Sequence, residues 1–426
     1  MKKTAFFATL LLVGLLNTAG TVRPPFADDT RTFAVPTLTQ TPKGEVLLSW
    51  TEKDAQDVVH FYFATSKDKG QTFAEKREIF AAPGLATSRL MRPKVLFKKD
   101  GSMVAVFGLR DDAAPTPQPA TANEHAGHGA GHEGHATAKP AAPAPAPGGG
   151  RPRSQQIVFS TSRDGGQTWT APKPVHATKP GVMRGFFDAT VLANGEVAVA
   201  YLADIEGKAH ARDLRLVTSK GGVFGPEKIL EPFVCDCCPM SLLVDDRGAL
   251  HVYYRENKEN LRDLDHLVST DHGATFSAPT RLYADNWQLN GCPHSGPTSV
   301  RYGNSALVAW YSGTTVNQPG IRVVTGEGKR LFVVDEPTAK NSWLAGSPKA
   351  AVLVWEQTGE KGETPATALA LRSFAPNGNA SETRWVESSE NATNPTALVV
   401  DDQVLVAYEV KRPDKKNGMR ISTVKL

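Results

Sequence analysis

Short apolar runs recur along the chain at near-constant spacing, and seven of them end in an aromatic residue: Glu45–Trp50, Met103–Phe107, Glu196–Tyr201, Leu250–Tyr254, Ala306–Trp310, Ala351–Trp355 and Gln403–Tyr408. Runs this short, rich in Val, Leu and Ala and free of Pro, predict buried strands rather than helices. The final aromatics are separated by 57, 94, 53, 56, 45 and 53 residues, and setting aside the 42 residues 112–153 brings the outlier to 52. Gly-containing turns (Lys43-Gly44, Asn194-Gly195, Arg247-Gly248) precede several of these strands, and further strands follow each one. A period near fifty with four strands per unit predicts an all-β fold, a β-propeller of four-stranded blades, seven by this count. Six is the alternative, because the unit whose inner strand lies near Ser342–Ala345 is weakly patterned. The last unit shows three strands, so a segment near Thr30–Phe33 is expected to complete the last blade.

A second pattern is superimposed on the first. Ser66–Phe73, Ser162–Trp169 and Ser269–Phe276 all read S-x-D-x-G-x-T-[F/W]. Each sits between two strand-like runs, which predicts a hairpin turn: Ser and Asp accept from turn N–H groups, Gly takes positive φ, and the aromatic packs beneath. This motif resembles the Asp box of sialidase-like, BNR-repeat propellers. The resemblance implies a propeller with the boxes on the rim away from the functional face, and it raises exo-α-sialidase or other glycoside hydrolase activity as one expectation.

Met1-Lys2-Lys3, the apolar run Ala5–Leu16 and the small residues Thr18-Ala19-Gly20 predict a cleaved secretory signal over residues 1–20, and hence a periplasmic or secreted protein. No later run is long enough to span a bilayer. Residues 21–426 are expected to form one propeller domain, since seven units of about fifty residues account for nearly all of them. A formal charge of +4 on 426 residues predicts no nucleic-acid partner and only a mild preference for anions.

Residues 112–153 interrupt the second unit with Pro/Ala runs, Gly148-Gly149-Gly150, and His125, His128, His132 and His135 among Gly and Ala. A segment of this composition cannot bury an apolar face and reads as a disordered, His-rich loop inserted in the propeller. It is either a spacer or a place where imidazoles bind divalent metal.

Four cysteines fall in two places, Cys235-Asp236-Cys237-Cys238-Pro239 and Cys292-Pro293-His294, each just before the inner strand of its unit. In a propeller those positions border the central channel, and consecutive units bring them together. Cys235, Cys237, Cys238, Cys292 and His294 are thus expected to converge. Disulfides, a soft metal site for copper or zinc, and a redox-active thiol pair are the three readings open to such a group.

Residue types suited to gripping an anion form the last group. The resemblance implies three arginines around a substrate carboxylate, the first in an Arg-Ile-Pro motif, with a Tyr–Glu nucleophile and an Asp acid/base. Here the first inner strand reads Phe33-Ala34-Val35-Pro36 and lacks that Arg; the nearest match is Met91-Arg92-Pro93. Arg92, Arg184, Arg255 and Glu256 are the candidate catalytic or binding residues, expected to rim the channel mouth, and Tyr253, Tyr254 and Tyr311 have no motif behind them. The sequence therefore predicts a ligand- or metal-binding propeller, with an anionic glycan or small molecule as one partner class, glycoside hydrolysis as the alternative, and a protein-binding scaffold as a third reading.

Overall fold

In the computed structural model, residues 28–110, 155–177, 179, 182–347, 349–361, 364–375 and 379–426 are described. The expected signal and the insert with its four histidines lie outside them. Seven antiparallel sheets follow one another around a central axis, opened by the inner strands Thr32–Gln40, Lys94–Phe97, Arg184–Val191, Ser241–Val244, Thr298–Tyr302, Lys340–Gly346 and Ala392–Val400. From blade two onward each inner strand touches the next, Thr32–Gln40 meets the strands of blade seven, and blade one packs on blade two through Phe61, Phe63 and Phe107, closing the ring. Seven blades are present, the weakly patterned sixth among them. One short 3₁₀ turn, Arg89–Met91, is the helical content of the described residues, and no helix there is long and apolar enough to cross a membrane.

The second strand of each blade explains the repeat. Val197–Asp204 sends Val197, Val199, Tyr201 and Ala203 into the cluster shared with blade two, and Ala198, Ala200 and Leu202 into the cluster shared with blade four. A strand buried on both faces cannot alternate with polar residues, so it reads as one apolar run. Equivalent clusters fill all seven interblade spaces. The terminal aromatics Trp50, Phe107, Tyr201, Tyr254, Trp310, Trp355 and Tyr408 are among the large side chains in them.

The N-terminal expectation needs correction. Phe33 belongs to Thr32–Gln40, which pairs with Val46–Lys53 as the inner strand of blade one, while blade seven has three strands among the described residues. The segment just before it is nevertheless tied to blade seven, because Arg412 donates to the carbonyls of Asp29 and Arg31.

All three Asp boxes have the expected geometry. In the first, the Gly70 N–H donates to Ser66 Oγ, the Thr72 N–H to Asp68 Oδ1 and the Thr72 hydroxyl to Asp68 Oδ2. Gly70, Gly166 and Gly273 have φ of 89°, 83° and 85°. A Cβ on Gly166 would come within 2.4 Å of the Phe63 ring and one on Gly70 within 2.5 Å of Leu405, so the boxes also press against the preceding blade. They follow the third strands, and strand direction alternates, so they stand at the opposite end of the blades from the segments that lead into the inner strands.

Two outcomes follow for stability. Strands Met103–Arg110 and Gln155–Ser162 remain in register up to the Arg110/Gln155 pair. Deleting residues 112–153 therefore leaves Asp111-Ser154 as a two-residue hairpin loop, and thermal melting should shift by no more than about 2 °C; a collapse of the cooperative transition would show that the insert supports the fold. The Asp boxes set an acid limit. Bonds from Thr72 and Ser66 hold the Asp68 carboxyl down at about 2, and those from Thr168 and Thr275 hold Asp164 and Asp271 lower still. Their contribution is complete above the ordinary carboxylate value of 3.8 and is lost as pH falls through the folded-state values. Melting temperature should thus fall between about pH 4 and pH 2, and the triple variant Asp68→Asn/Asp164→Asn/Asp271→Asn should show a shallower decline.

Candidate functional site

The end of the ring away from the Asp boxes is built from the lead-ins to the inner strands, which are irregular for a shared reason. Val35, Phe186, Asn341 and Asn394 adopt left-handed φ of 49°, 50°, 50° and 55°, each at a bulge in its strand. A bulge frees backbone groups from the ladder, and these must find partners. Buried charged side chains supply them. Glu409 accepts the Val35 N–H at 3.0 Å, and Glu356 accepts the Asn394 N–H and the Asn341 side-chain amide. Arg255, 1% exposed, donates to the carbonyls of Ser295, Arg262 and Tyr311. Arg92 donates to Pro36 and Asn394, and Arg89 reaches the His294 carbonyl at 3.1 Å. Burial pushes the carboxyls of Glu356 and Glu409 up, with the N–H donors opposing it.

A cavity of about 230 Å³ lies inside this ring of lead-ins, lined by Arg89, Arg92, Lys94, Asp188, Ser241 and Trp343 among others. Lys94 is paired with Asp188 at 2.8 Å, and the second Asp188 oxygen accepts the Leu242 N–H.

The cysteine segments adjoin that cavity, whose wall includes Pro239, Ser295 and Gly296. Strand Lys228–Val234 delivers Cys235, whose N–H donates to the Arg255 carbonyl at 3.1 Å. Arg212, anchored on Asp204, donates to the Asp236 carbonyl. Cys235, Cys237 and Cys238 are buried against Phe186, with Sγ separations of 3.8 Å (235–237), 3.0 Å (235–238) and 4.0 Å (237–238). The lead-in of blade five brings Cys292 and His294, both exposed, so that their ligand atoms and Cys237 Sγ all lie within 4.8 Å of one another. Glycine permits this approach, since a Cβ on Gly296 would fall 2.0 Å from the Pro239 carbonyl oxygen. All four cysteines are free thiols in this structure. The sulfur contacts shift the three thiols in opposite directions: Cys237 and Cys238 pull Cys235 down to about 3, with help from Arg255, while Cys237 and Cys238 are themselves pushed up.

The five expected Cys and His residues are thus brought together in two triads that share Cys237. The four anion-binding candidates are not. Arg92 lines the cavity but is spent on two carbonyls, and Arg255 on three. Arg184 is buried between blades two and three, bonded to Glu227 at 2.9 Å. Glu256, its carboxyl pushed up by burial, accepts the Asn257 N–H. Tyr253 and Tyr254 are fully buried in interblade clusters, and Tyr311 packs edge-on against Trp287. The arginine positions were legible, but Arg92 and Arg255 carry backbone carbonyls and Arg184 pairs with Glu227. Sequence reasoning missed Glu227, which accepts from Tyr201 at 2.6 Å, as well as Glu356 and Glu409. The signal for the last two was present, a charged residue directly after the aromatic that closes a buried strand.

The described geometry matches known proteins at the level of fold. Residues 144–312 match the BNR repeat-like domain family. No curated protein matches the chain. Among solved structures, a protein of unknown function from Dyadobacter fermentans aligns with a TM-score of 0.50 at 14% identity over 94% of this chain and 96% of its own. An ulvan lyase of polysaccharide lyase family PL25 aligns with a TM-score of 0.51 at 12% identity over 94% and 95%. The Hadza microbial sialidase Hz136 aligns at 0.46 and 13% identity over 93% of this chain and 66% of its own. Three Asp boxes, seven blades and the match over residues 144–312 together make the chain a β-propeller that is similar, over that segment, to the BNR repeat-like domain family.

Proposed function

We propose that the protein is an exported propeller that binds one soft metal ion, copper(I) or zinc, at the Cys/His cluster beside its channel. The observation that carries this reading is the meeting of Cys237 with Cys292 and His294 across two blades, within 4.8 Å. Thiolates clustered around one point select thiophilic ions over the hard cations that oxygen ligands hold. Three sulfurs around an ion at a bond length of about 2.3 Å stand about 4 Å apart. Two of the three separations among Cys235, Cys237 and Cys238 are 3.8 and 4.0 Å, so only the 3.0 Å Cys235–Cys238 approach has to open. The strands that carry the His-rich insert lend support. Their loop, bounded by Arg110 and Gln155, joins a second strand to a third and therefore leaves the propeller at the same end as the cysteines.

A second reading, an anionic glycan or other small ligand in the channel, is favoured by the cavity with Arg89, Lys94 and Trp343 in its wall. Turnover of a fluorogenic sialoside or related glycoside by purified protein tests its enzymatic form.

Reduced protein should bind about one equivalent of copper(I) or zinc tightly, and Cys237→Ser should weaken binding by at least about two orders of magnitude, since that sulfur belongs to both triads. Metal analysis with thiol counting on protein from the exported fraction checks this. A peptide map with all four cysteines paired in freshly isolated protein would overturn it. Gly296→Ala should destabilise the fold by about 1–3 kcal/mol through the clash with Pro239. It should also slow metal uptake, by moving the lead-in of blade five away from Cys237; uptake kinetics and thermal melting read the two effects separately.

A further inference from the structure

The two triads differ in a way that a single coordination sphere does not require. Cys235, Cys237 and Cys238 are 1%, 5% and 3% exposed and pack against Phe186, whereas Cys292 and His294 are open to solvent. The inner group is three sulfurs in an apolar wall. The outer group adds the exposed Cys292 thiol and His294 imidazole to Cys237, which is buried and belongs to both. Zinc in a closed site takes four ligands, while a buried set of soft thiolates without a fourth partner suits copper(I).

Resting on the metal-binding reading above, we infer that the triads are two stations of one loading path for copper(I): the outer triad takes the ion from a weaker ligand, and the inner triad keeps it. Cys237 stays bound throughout. In the transfer, the bonds from copper to Cys292 Sγ and the His294 ring nitrogen break, and bonds to Cys235 Sγ and Cys238 Sγ form. Cys238 gives up its proton as it binds, Cys292 takes one up as it leaves, and any proton still on Cys235 goes to solvent. No electron moves, so no oxidant or reductant is needed. Exchange through a shared ligand avoids ever freeing the ion, which matters because an ion that soft finds no comparable ligand in water. The order follows from exposure: a carrier can reach Cys292 and His294 at the surface, whereas Cys235, Cys237 and Cys238 are all buried. The exposed backbone at His294 sits at φ 48°, a conformation that places its ring beside Cys237 and that asparagine tolerates well.

The experiment follows copper(I) transfer from its bicinchoninate complex by stopped-flow absorbance and measures final affinity by competition with bathocuproine disulfonate. The probe is the full-length reduced protein. Cys292→Ser/His294→Asn should slow loading about tenfold while affinity falls less than about threefold, because the retaining sulfurs are untouched. Cys238→Ala should do the reverse, lowering affinity by at least about a hundredfold while a fast first phase persists. Cys235→Ala serves as a second inner variant, with melting curves to confirm that both are folded. If the outer double variant loses as much affinity as the inner ones, the cluster is one site and the relay is wrong. If it loads as fast as the unaltered protein, the outer triad is not a station and the relay is again wrong. Failure of the unaltered protein to take up any copper(I) would instead remove the metal-binding reading itself, and the relay with it.

Discussion

The architecture depends on strands that are buried on both faces. A second strand such as Val197–Asp204 contributes its odd residues to one interblade cluster and its even residues to the other, so no blade has a core of its own. Stability resides in the seven spaces between blades, and it requires the ring to be complete. Closure comes from Phe33, Leu38 and Trp50 of blade one packing with Val400, Leu405 and Ala407 of blade seven. The Asp boxes reinforce the same seams from one end, with Gly70 against Leu405 and Gly166 against Phe63.

At the other end the constraint is polar. The bulged lead-ins carry main-chain groups out of the ladders and toward the channel, where a lost hydrogen bond costs about 1–3 kcal/mol. The residue after the aromatic of the second strand repeatedly meets this need in the following blade: Arg255 for Ser295, Glu356 for Asn394, Glu409 for Val35. The same end therefore combines dense buried charge with a small cavity. That is why arginines stand where an anion-binding protein would place them and yet are occupied. Their charge balances the carbonyls they hold and, in the case of Arg255, favours a thiolate at Cys235.

The fold was legible because it is written in repeats. The seven aromatic-ended strands, the Asp-box turns and the excess spacing at the insert each correspond to a feature of the ring, and the count of seven survived even the poorly patterned strand at Lys340–Gly346. The N-terminal strand was misread because a closing strand and an inner strand of blade one share one apolar pattern; pairing with Val46–Lys53, which no local signal specifies, decides between them. The site was half legible. Residue type and position in the repeat were enough to bring Cys235, Cys237, Cys238, Cys292 and His294 together. The division into a buried and an exposed triad depends on Phe186 and Gly296, whose roles arise from packing across blades. Likewise the partners of Arg92, Arg184 and Arg255 are carbonyls or an acid distant in sequence, and composition does not reveal which hydrogen bonds a guanidinium has already made.

The clamps at the channel end grip main-chain atoms: Val35 and Asn394 by their N–H groups, Ser295, Pro36 and His294 by their carbonyls. Side chains on those lead-ins are thereby released from structural duty. An evolving lineage can rewrite them one at a time while the scaffold stays assembled, and chemistry becomes separable from foldability. Structures that share the fold at 12–14% identity are compatible with such a division of labour, in which the frame is held by main-chain contacts and the side chains around the opening are free to differ.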